Sequence, residues 1–285
     1  PSTDPQAVVV IAHGMAEHAA RYARFAAALN ADGMAVYGFD HRGHGHTGQH
    51  GGLLGHMGDH DSWNRAVGDL AAACRLAADR HPGKPLLLFA HSMGSFMAQQ
   101  FLYEHGAMLA GCVLCGSAGK PPPIAALGRL VTRIERLRLG RRGVSNLVQS
   151  LSFDAFNKRF QPQRTDFDWL SRDPAEVDKY IADPFCGFPI SVQSWIDFLD
   201  GLQAIARPEN QARIPKTLPV FVIAGRHDPV SGGGRSLQQL LGAYAAAGLT
   251  GVESCFYDQA RHELLNEINR DQVTADIIGF FRRRL

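Results

Sequence analysis

Three residues of this chain could together carry nucleophilic chemistry: Ser92, Asp228 and His262. Ser92 lies in the stretch LLLFAHSMGSFMA, residues 86–98, where an apolar run ends in Ala90-His91-Ser92-Met93-Gly94 and apolar residues continue at helical spacing. The pattern G-x-S-x-G marks a strand that turns sharply into a helix and holds a serine hydroxyl exposed at the corner. Here the pattern reads A-x-S-x-G, with Ala, the next smallest residue, in the first glycine position. A serine hydroxyl is a weak nucleophile at neutral pH. It needs a base to take its proton and a third group to orient that base. Asp228 closes the run FVIAGRHD, and His262 closes SCFYDQARH. All three residues therefore stand where strand-like runs end.

Acyl transfer also needs donors for the developing oxyanion. The N–H of Met93, at the start of the following helix, is one, favoured by the helix dipole. His13-Gly14-Met15 ends another apolar run and offers the second: Gly14 allows close backbone approach and Met15 donates its N–H. His13, Gly14 and His91 are read as lining the substrate site beside these donors. Each feature alone has an ordinary explanation. A serine turn is common, Asp228 in GRHDPV suits a turn or a helix cap, and a single histidine is usually core or cap. The four features at four strand ends, in this order, are what point to chemistry.

The elements that must position them follow from the hydrophobic pattern. Strands are expected at AVVVIAH (7–13), MAVYGFD (34–40), KPLLLFAHS (84–92), LAGCVLCGSA (109–118), LPVFVIAG (218–225) and VESCFYD (252–258). Helical spacing appears before Gly33, over 63–80, after Ser92, near 235–247 and from about 265 to 283. Apolar strands alternating with helices predict an α/β fold: a mostly parallel central sheet covered on both faces. In such sheets functional residues gather at the C-terminal ends of strands. Residues 118–210 break the alternation, so the chain divides into core (1–117), a helical cap insertion (118–210) and core again (211–285). The insertion opens on Lys120-Pro121-Pro122-Pro123, a stiff linker. It continues with IAALGRLVTRIERLRLGRRG, where Leu127, Leu130, Val131, Ile134 and Leu137 share one face among six arginines. The preferred reading packs that apolar face on the protein and leaves the arginines solvated. The other lays the helix on an anionic membrane surface as a peripheral contact. The aromatic blocks FDAFNKRF and FDWLSRD are simple core or the lining of an apolar pocket.

The chain has 285 residues, 45% hydrophobic and 20% charged, with a net charge of +2. That is an ordinary globular composition, with no charge excess to imply nucleic acid. No apolar run approaches the roughly 18 residues of a membrane helix. Five cysteines, an odd count, argue against a full disulfide framework; Cys112 and Cys115, inside the apolar run CVLC, read as small core residues rather than a redox or metal pair, and a reducing cytoplasm is expected. The histidine-rich tract 41–61 shows no closed set of metal-ligand spacings, and its dense glycine reads as an active-site rim loop.

The blocks HGMAEHAARYARFAAAL, GFDHRGHGHTG, AHSMGS, GRHDPVSGGG and ARHELLNE, spread over residues 13–267, resemble the monoacylglycerol lipase and lysophospholipase branch of the α/β hydrolases, a serine aminopeptidase S33-like group. DFDWLSRDPAEVDKYIADPFCGF resembles the cap of bacterial members. The order Ser92, Asp228, His262 is that of the α/β-hydrolase triad. The resemblance implies Ser92 as nucleophile, Asp228 as acid, His262 as base, Met15 and Met93 as oxyanion donors, and a cap over an acyl tunnel. The family carries glycine where this chain has Ala90 and Ala16; neither change removes a catalytic group. Residues 1–6 are too few for the antiparallel hairpin with which the family begins, so further N-terminal strands or a trimmed segment are expected. The implied activity is ester hydrolysis through an acyl-enzyme, without metal or organic cofactor. The substrate is a monoacylglycerol or lysophospholipid, or, in the alternative, a short-to-medium-chain non-lipid ester. A peptidase would need an acidic pocket for an α-amine, and no clear carboxylate cluster supplies one. A non-catalytic binding protein on the same fold would lack a triad member, and all three are present.

Overall fold

A computed structural model describes residues 4–122, 124–151 and 156–285. Six strands form one sheet: β1 (Ala7–Ala12), β2 (Met34–Gly38), β3 (Leu86–His91), β4 (Gly111–Cys115), β5 (Val220–Gly225) and β6 (Val252–Tyr257). Their order is β2-β1-β3-β4-β5-β6, and every neighbouring pair is parallel. Every residue of β1, β3, β4 and β5 is buried. This is why those strands read as continuous apolar runs rather than alternating ones. The chain steps from β1 outward to β2, then returns to place β3 on the other side of β1. That reversal opens a crevice at the carboxyl ends of β1 and β3, the usual ligand position in an open α/β sheet.

Helices α1 (Ala23–Ala31), α2 (Gly45–His50), α3 (Ser62–Arg80) and α4 (Met93–His105) belong to the first part of the core. Trp63, Val67 and Leu70 of α3 and most of α4 pack on one sheet face with Val8, Val10 and Leu88. Phe25 and Leu29 of α1 cover the other face, joined by Val273, Ile277 and Phe280 of the last helix. Between β4 and β5 come α5 (Ile124–Leu139), α6 (Asn146–Leu151), α7 (Pro174–Ala182), α8 (Val192–Ile205) and α9 (Pro208–Gln211). After β5 follow α10 (Arg235–Ala246) and α11 (Arg270–Arg282). Helix α8 anchors this insertion on the core: a Cβ at Gly201 would meet the Trp63 ring, and Phe198 meets Trp63 edge-to-face at 5.7 Å.

Three expectations change. The tract 41–61 is more than a rim loop. Gly45–His50 is helical, with Asp40 accepting the His46 N–H at 2.9 Å, and His41 and His44 are buried. The final helix starts at Arg270 after a short turn at Leu264–Asn266. There the buried Glu267 accepts the N–H groups of Arg261 (2.8 Å) and Ile268 (3.0 Å) and holds the chain out of helix. Third, α5 is turned over. Thr132 and Glu135 face the protein, whereas Leu127, Leu130, Ile134 and Leu137 face solvent, Leu137 at 84% exposure. Polar partners fix that orientation. Arg129 pairs with Asp200, Arg136 reaches Gln193 at 3.2 Å, and Ser145 donates to Glu135 at 2.6 Å. Of the two readings of the FDWLSRD aromatics, the packed one fits: Phe167 lies on Tyr180 and Trp169 on His262. Phe153, Asp154 and Ala155 of the other aromatic block, and Pro123 of the linker, lie outside the described residues. Among the described residues, no helix is long and apolar enough to cross a membrane.

Candidate active site

Ser92 occupies the corner between β3 and α4 with φ 49° and ψ −119°, a backbone region that L-residues rarely adopt. Three backbone partners hold it there. Its N–H donates to the Cys115 carbonyl at 2.9 Å, and its own carbonyl accepts the N–H groups of Ser95 and Phe96 at 2.8 and 3.1 Å. Gly94 is required two residues on, because a Cβ there would run into the Ala12 and His13 carbonyls at the end of β1. Ala90 fits without strain, fully buried in β3 opposite Ala12 and Leu114.

Ser92, His262 and Asp228 meet, although they come from three strand ends. His262 Nε2 lies 2.9 Å from Ser92 Oγ, and His262 Nδ1 lies 3.0 Å from Asp228 Oδ1. The Val230 N–H also donates to that carboxylate oxygen, at 2.8 Å. The loops after β5 and β6 are drawn together by backbone bonds from Arg226 N–H to Tyr257 and from His227 N–H to Ala260. The His262 ring packs between His91 (4.8 Å) and Trp169 (5.1 Å). Burial opposes protonation of His262 most strongly. The Asp228 carboxylate beside it outweighs that effect, and the pKa stands above the ordinary histidine value. The arrangement can deprotonate a serine hydroxyl and stabilise the imidazolium that results.

The loop after β1, expected to supply an oxyanion donor, closes on the same point. A Cβ at Gly14 would lie 3.2 Å from Ser92 Cβ and 2.7 Å from a Glu17 oxygen, so only glycine lets the loop approach this closely. Met93 opens α4, where the first N–H groups lack intrahelical acceptors. Met15 follows Gly14 and packs with Ala16, Trp195 and Phe198. Ala16 takes φ 55°, a left-handed conformation costing about 1 kcal/mol for a non-glycine residue. Its carbonyl is held there by Gly187 N–H and Tyr180 O–H, each at 2.9 Å.

His13 and His91 do not line an open substrate site, contrary to expectation. His13 is fully buried. Its Nδ1 reaches the Gly14 carbonyl at 2.7 Å and its Nε2 accepts the His41 N–H at 3.0 Å. Its ring packs with His41 and His44, and burial holds its pKa well below the ordinary value. His91 is buried beneath His262, with its pKa pushed down to about 4 by burial and then by that neighbour. In the structure His13 packs on His41 and His44, and His91 packs on His262.

The sequence reading missed a buried ionic network that joins the two halves of the site. Glu17 accepts the Gly14 N–H at 2.5 Å and the Tyr22 hydroxyl at 2.8 Å. Arg21 donates to Glu17 at 2.6 Å and to both oxygens of Glu263 at 2.6 and 2.7 Å. Glu263 follows His262 directly, so one guanidinium ties the oxyanion loop to the histidine loop. Burial would raise both carboxyl pKa values, but Arg21 holds them below the ordinary range. The Glu17–Arg21 spacing of four, and the pair His262-Glu263, were the signals available.

The family described as "Serine aminopeptidase, S33", among the α/β hydrolases, matches residues 3–269. The chain belongs to this family. A monoacylglycerol lipase of Mycolicibacterium smegmatis is 31% identical over 98% of this chain and 89% of its own length. The human monoglyceride lipase is 27% identical over 80% of this chain and 67% of its length. A thermostable carboxyl esterase from Bacillus coagulans, solved in complex with glycerol, superposes with a TM-score of 0.91 at 29% identity, covering 99% of this chain and 91% of that one. These relatives place the chain among the carboxylic ester hydrolases.

The triad geometry fixes the expected pH profile. kcat/KM on a soluble ester falls with acidification as His262 takes a proton, with a midpoint above the ordinary ~6.5. Asp228→Asn removes the charge that raises this pKa. The acid limb then moves to lower pH, and kcat drops about 10⁴-fold. An acid limb that stays in place in Asp228→Asn would rule out the assignment of Asp228 as the partner of His262.

Proposed function

We propose that this chain hydrolyses the ester bond of monoacylglycerols through a Ser92 acyl-enzyme. The observation that carries the reading is the chain of contacts Ser92 Oγ, His262 and Asp228 at 2.9 and 3.0 Å, beside the Gly14-Met15 loop. His262 Nε2 takes the hydroxyl proton as Oγ attacks the ester carbonyl carbon. The N–H groups of Met15 and Met93 receive the oxyanion, each contributing about 3 kcal/mol to the transition state. His262 then protonates the departing alkoxide, and glycerol leaves. Water, deprotonated by the same histidine, releases the fatty acid.

Residues 118–210 act as the cap. Val148, Ile190 and Trp195, with Phe188 and Phe198, gather against Met15 and Ala16 and supply the apolar side of an acyl site. The lipase names of the relatives and the exposed leucines of α5 support a lipid substrate. Arg133, Arg138, Arg141 and Arg142 flank that exposed stripe, and Leu147 and Leu151 of α6 extend it. An anionic bilayer matches both features. The five cysteines are free, as a cytoplasmic setting would keep them.

The test is a panel of p-nitrophenyl esters from short to long chains with monoacylglycerol, diacylglycerol and lysophosphatidylcholine. Monoacylglycerol turnover with a medium- or long-chain optimum is the expected result. The likeness to the carboxyl esterase favours a second reading, which an optimum at the shortest esters with inert lipids would establish instead. Leu130→Glu with Leu137→Glu should weaken binding to anionic vesicles at least about tenfold, since two exposed leucines lose their apolar insertion. Hydrolysis of a soluble ester should be unchanged in the same variant. Unaltered vesicle binding would remove the membrane role of α5.

A further inference from the structure

Outside the triad, three potential metal-ligand side chains from two distant segments converge. His18 follows the oxyanion loop, Asp183 ends α7, and Cys186 lies in the turn beyond it. One donor atom from each lies within 4.8 Å of the others. His18 Nε2 and Asp183 Oδ2 are 2.9 Å apart. We propose that His18, Asp183 and Cys186 form a binding site for a soft divalent cation of the zinc class, with water as the fourth ligand.

The local fold prepares the donors. The Phe185 N–H holds Asp183 Oδ1 at 2.8 Å and leaves Oδ2 directed at His18, the backbone orientation that metal-ligating carboxylates use. The Cys186 N–H closes a turn on the Asp183 carbonyl at 3.0 Å, bringing the thiol to the same side as the carboxylate. Tetrahedral zinc with nitrogen, oxygen and sulfur ligands needs donors about 3.3–3.7 Å apart. The His–carboxylate pair therefore opens by a few tenths of an ångström to admit the ion. All three side chains are partly exposed, and a cleft lined by His18, Asp183, Arg21 and Lys179 gives access.

The surrounding charge suits a cation. Glu17 and Glu263 share Arg21, whose charge also reaches Asp183, while Arg24 and Lys179 both pair with Glu176. Binding replaces the thiol proton: the S–H bond breaks, an S–metal bond forms, and one proton goes to solvent. Affinity therefore rises with pH. Burial pushes the Cys186 thiol up, so that dependence extends to higher pH. Gly187 next to the site donates to Ala16, so the ion would staple the loop carrying Met15 to the turn after α7.

Chelator-treated protein titrated with Cd²⁺ should bind one equivalent and show the ultraviolet thiolate-to-cadmium band. Cys186→Ser should lose that band, and its Zn²⁺ affinity by calorimetry should fall at least about tenfold. His18→Gln should keep the band with a similar fall in affinity, which holds the test if one variant folds poorly. Ser92→Ala should bind as the parent does, separating this site from the triad. Zn²⁺ should raise the melting temperature of the parent and leave that of Cys186→Ser unmoved. No cadmium–thiolate band at one equivalent, or equal Zn²⁺ affinity in the parent and Cys186→Ser, overturns the proposal.

Discussion

Ser92→Ala is expected to leave a folded chain whose kcat on p-nitrophenyl esters is lower by about 10⁵- to 10⁶-fold, the size of effect seen when a triad serine is removed. The residual rate comes from binding and the oxyanion donors alone. The same position should show a stability signature that a surface serine would not. With φ 49° and ψ −119°, Ser92 sits where side chains are strained by about 1–3 kcal/mol. Alanine keeps the Cβ and so keeps the strain. Ser92→Gly removes it, at the cost of extra backbone entropy in the unfolded chain of about 0.4–1 kcal/mol. Ser92→Gly should therefore be as inactive as Ser92→Ala and more stable than it by about 1 kcal/mol in urea melts. Substantial turnover by either variant would remove Ser92 from the mechanism. A glycine variant less stable than the alanine one would contradict the strained elbow.

Arg21→Met should cost about 3–5 kcal/mol of stability at neutral pH, because it leaves two buried carboxylates without their shared cation. The sign of the pH dependence follows from the direction of the shifts. In the parent, Glu17 and Glu263 have folded pKa values below their unfolded ones. They contribute stability above the unfolded carboxyl pKa, and that contribution is lost as pH falls through the folded values. Without Arg21, burial and mutual repulsion push both folded values up, opposed at Glu17 by the hydrogen bonds from Gly14 and Tyr22 that remain. The variant's deficit is then largest at pH 8 and shrinks as acid protonates the pair. Urea melts of both proteins at pH 5 and pH 8 measure this directly. Adding Glu263→Gln to Arg21→Met should recover part of the loss by removing one unpaired charge. Equal deficits at the two pH values would falsify the network as drawn. Turnover should fall with stability, since Glu17 positions Gly14 beside the Met15 donor and Glu263 adjoins His262.

Several parts of the site were legible because their signals are local. A buried parallel strand must be apolar throughout, so β1, β3, β4 and β5 appear as short apolar runs in the sequence. A nucleophile at a strand-to-helix corner needs small neighbours, so Ala90 and Gly94 mark Ser92. Position at strand ends, together with chain order, separated Asp228 and His262 from the other acids and histidines.

The rest depended on which faces meet in three dimensions. The leucines of α5 have the spacing of a buried stripe, yet the ion pairs and hydrogen bonds of Arg129, Glu135 and Arg136 turn that stripe to solvent. His13 stands at the right strand end for a ligand contact, but its ring turns inward onto His41 and His44. Glu17 and Glu263 are 246 positions apart in the numbering, and neither sequence neighbourhood announces that one arginine will join them. By itself, then, the sequence determined the strands, the nucleophile corner and the order of the triad, because burial and chain geometry act on neighbouring residues. The tertiary structure alone decided what each polar side chain faces, because hydrogen-bond and charge partners are chosen by proximity in space.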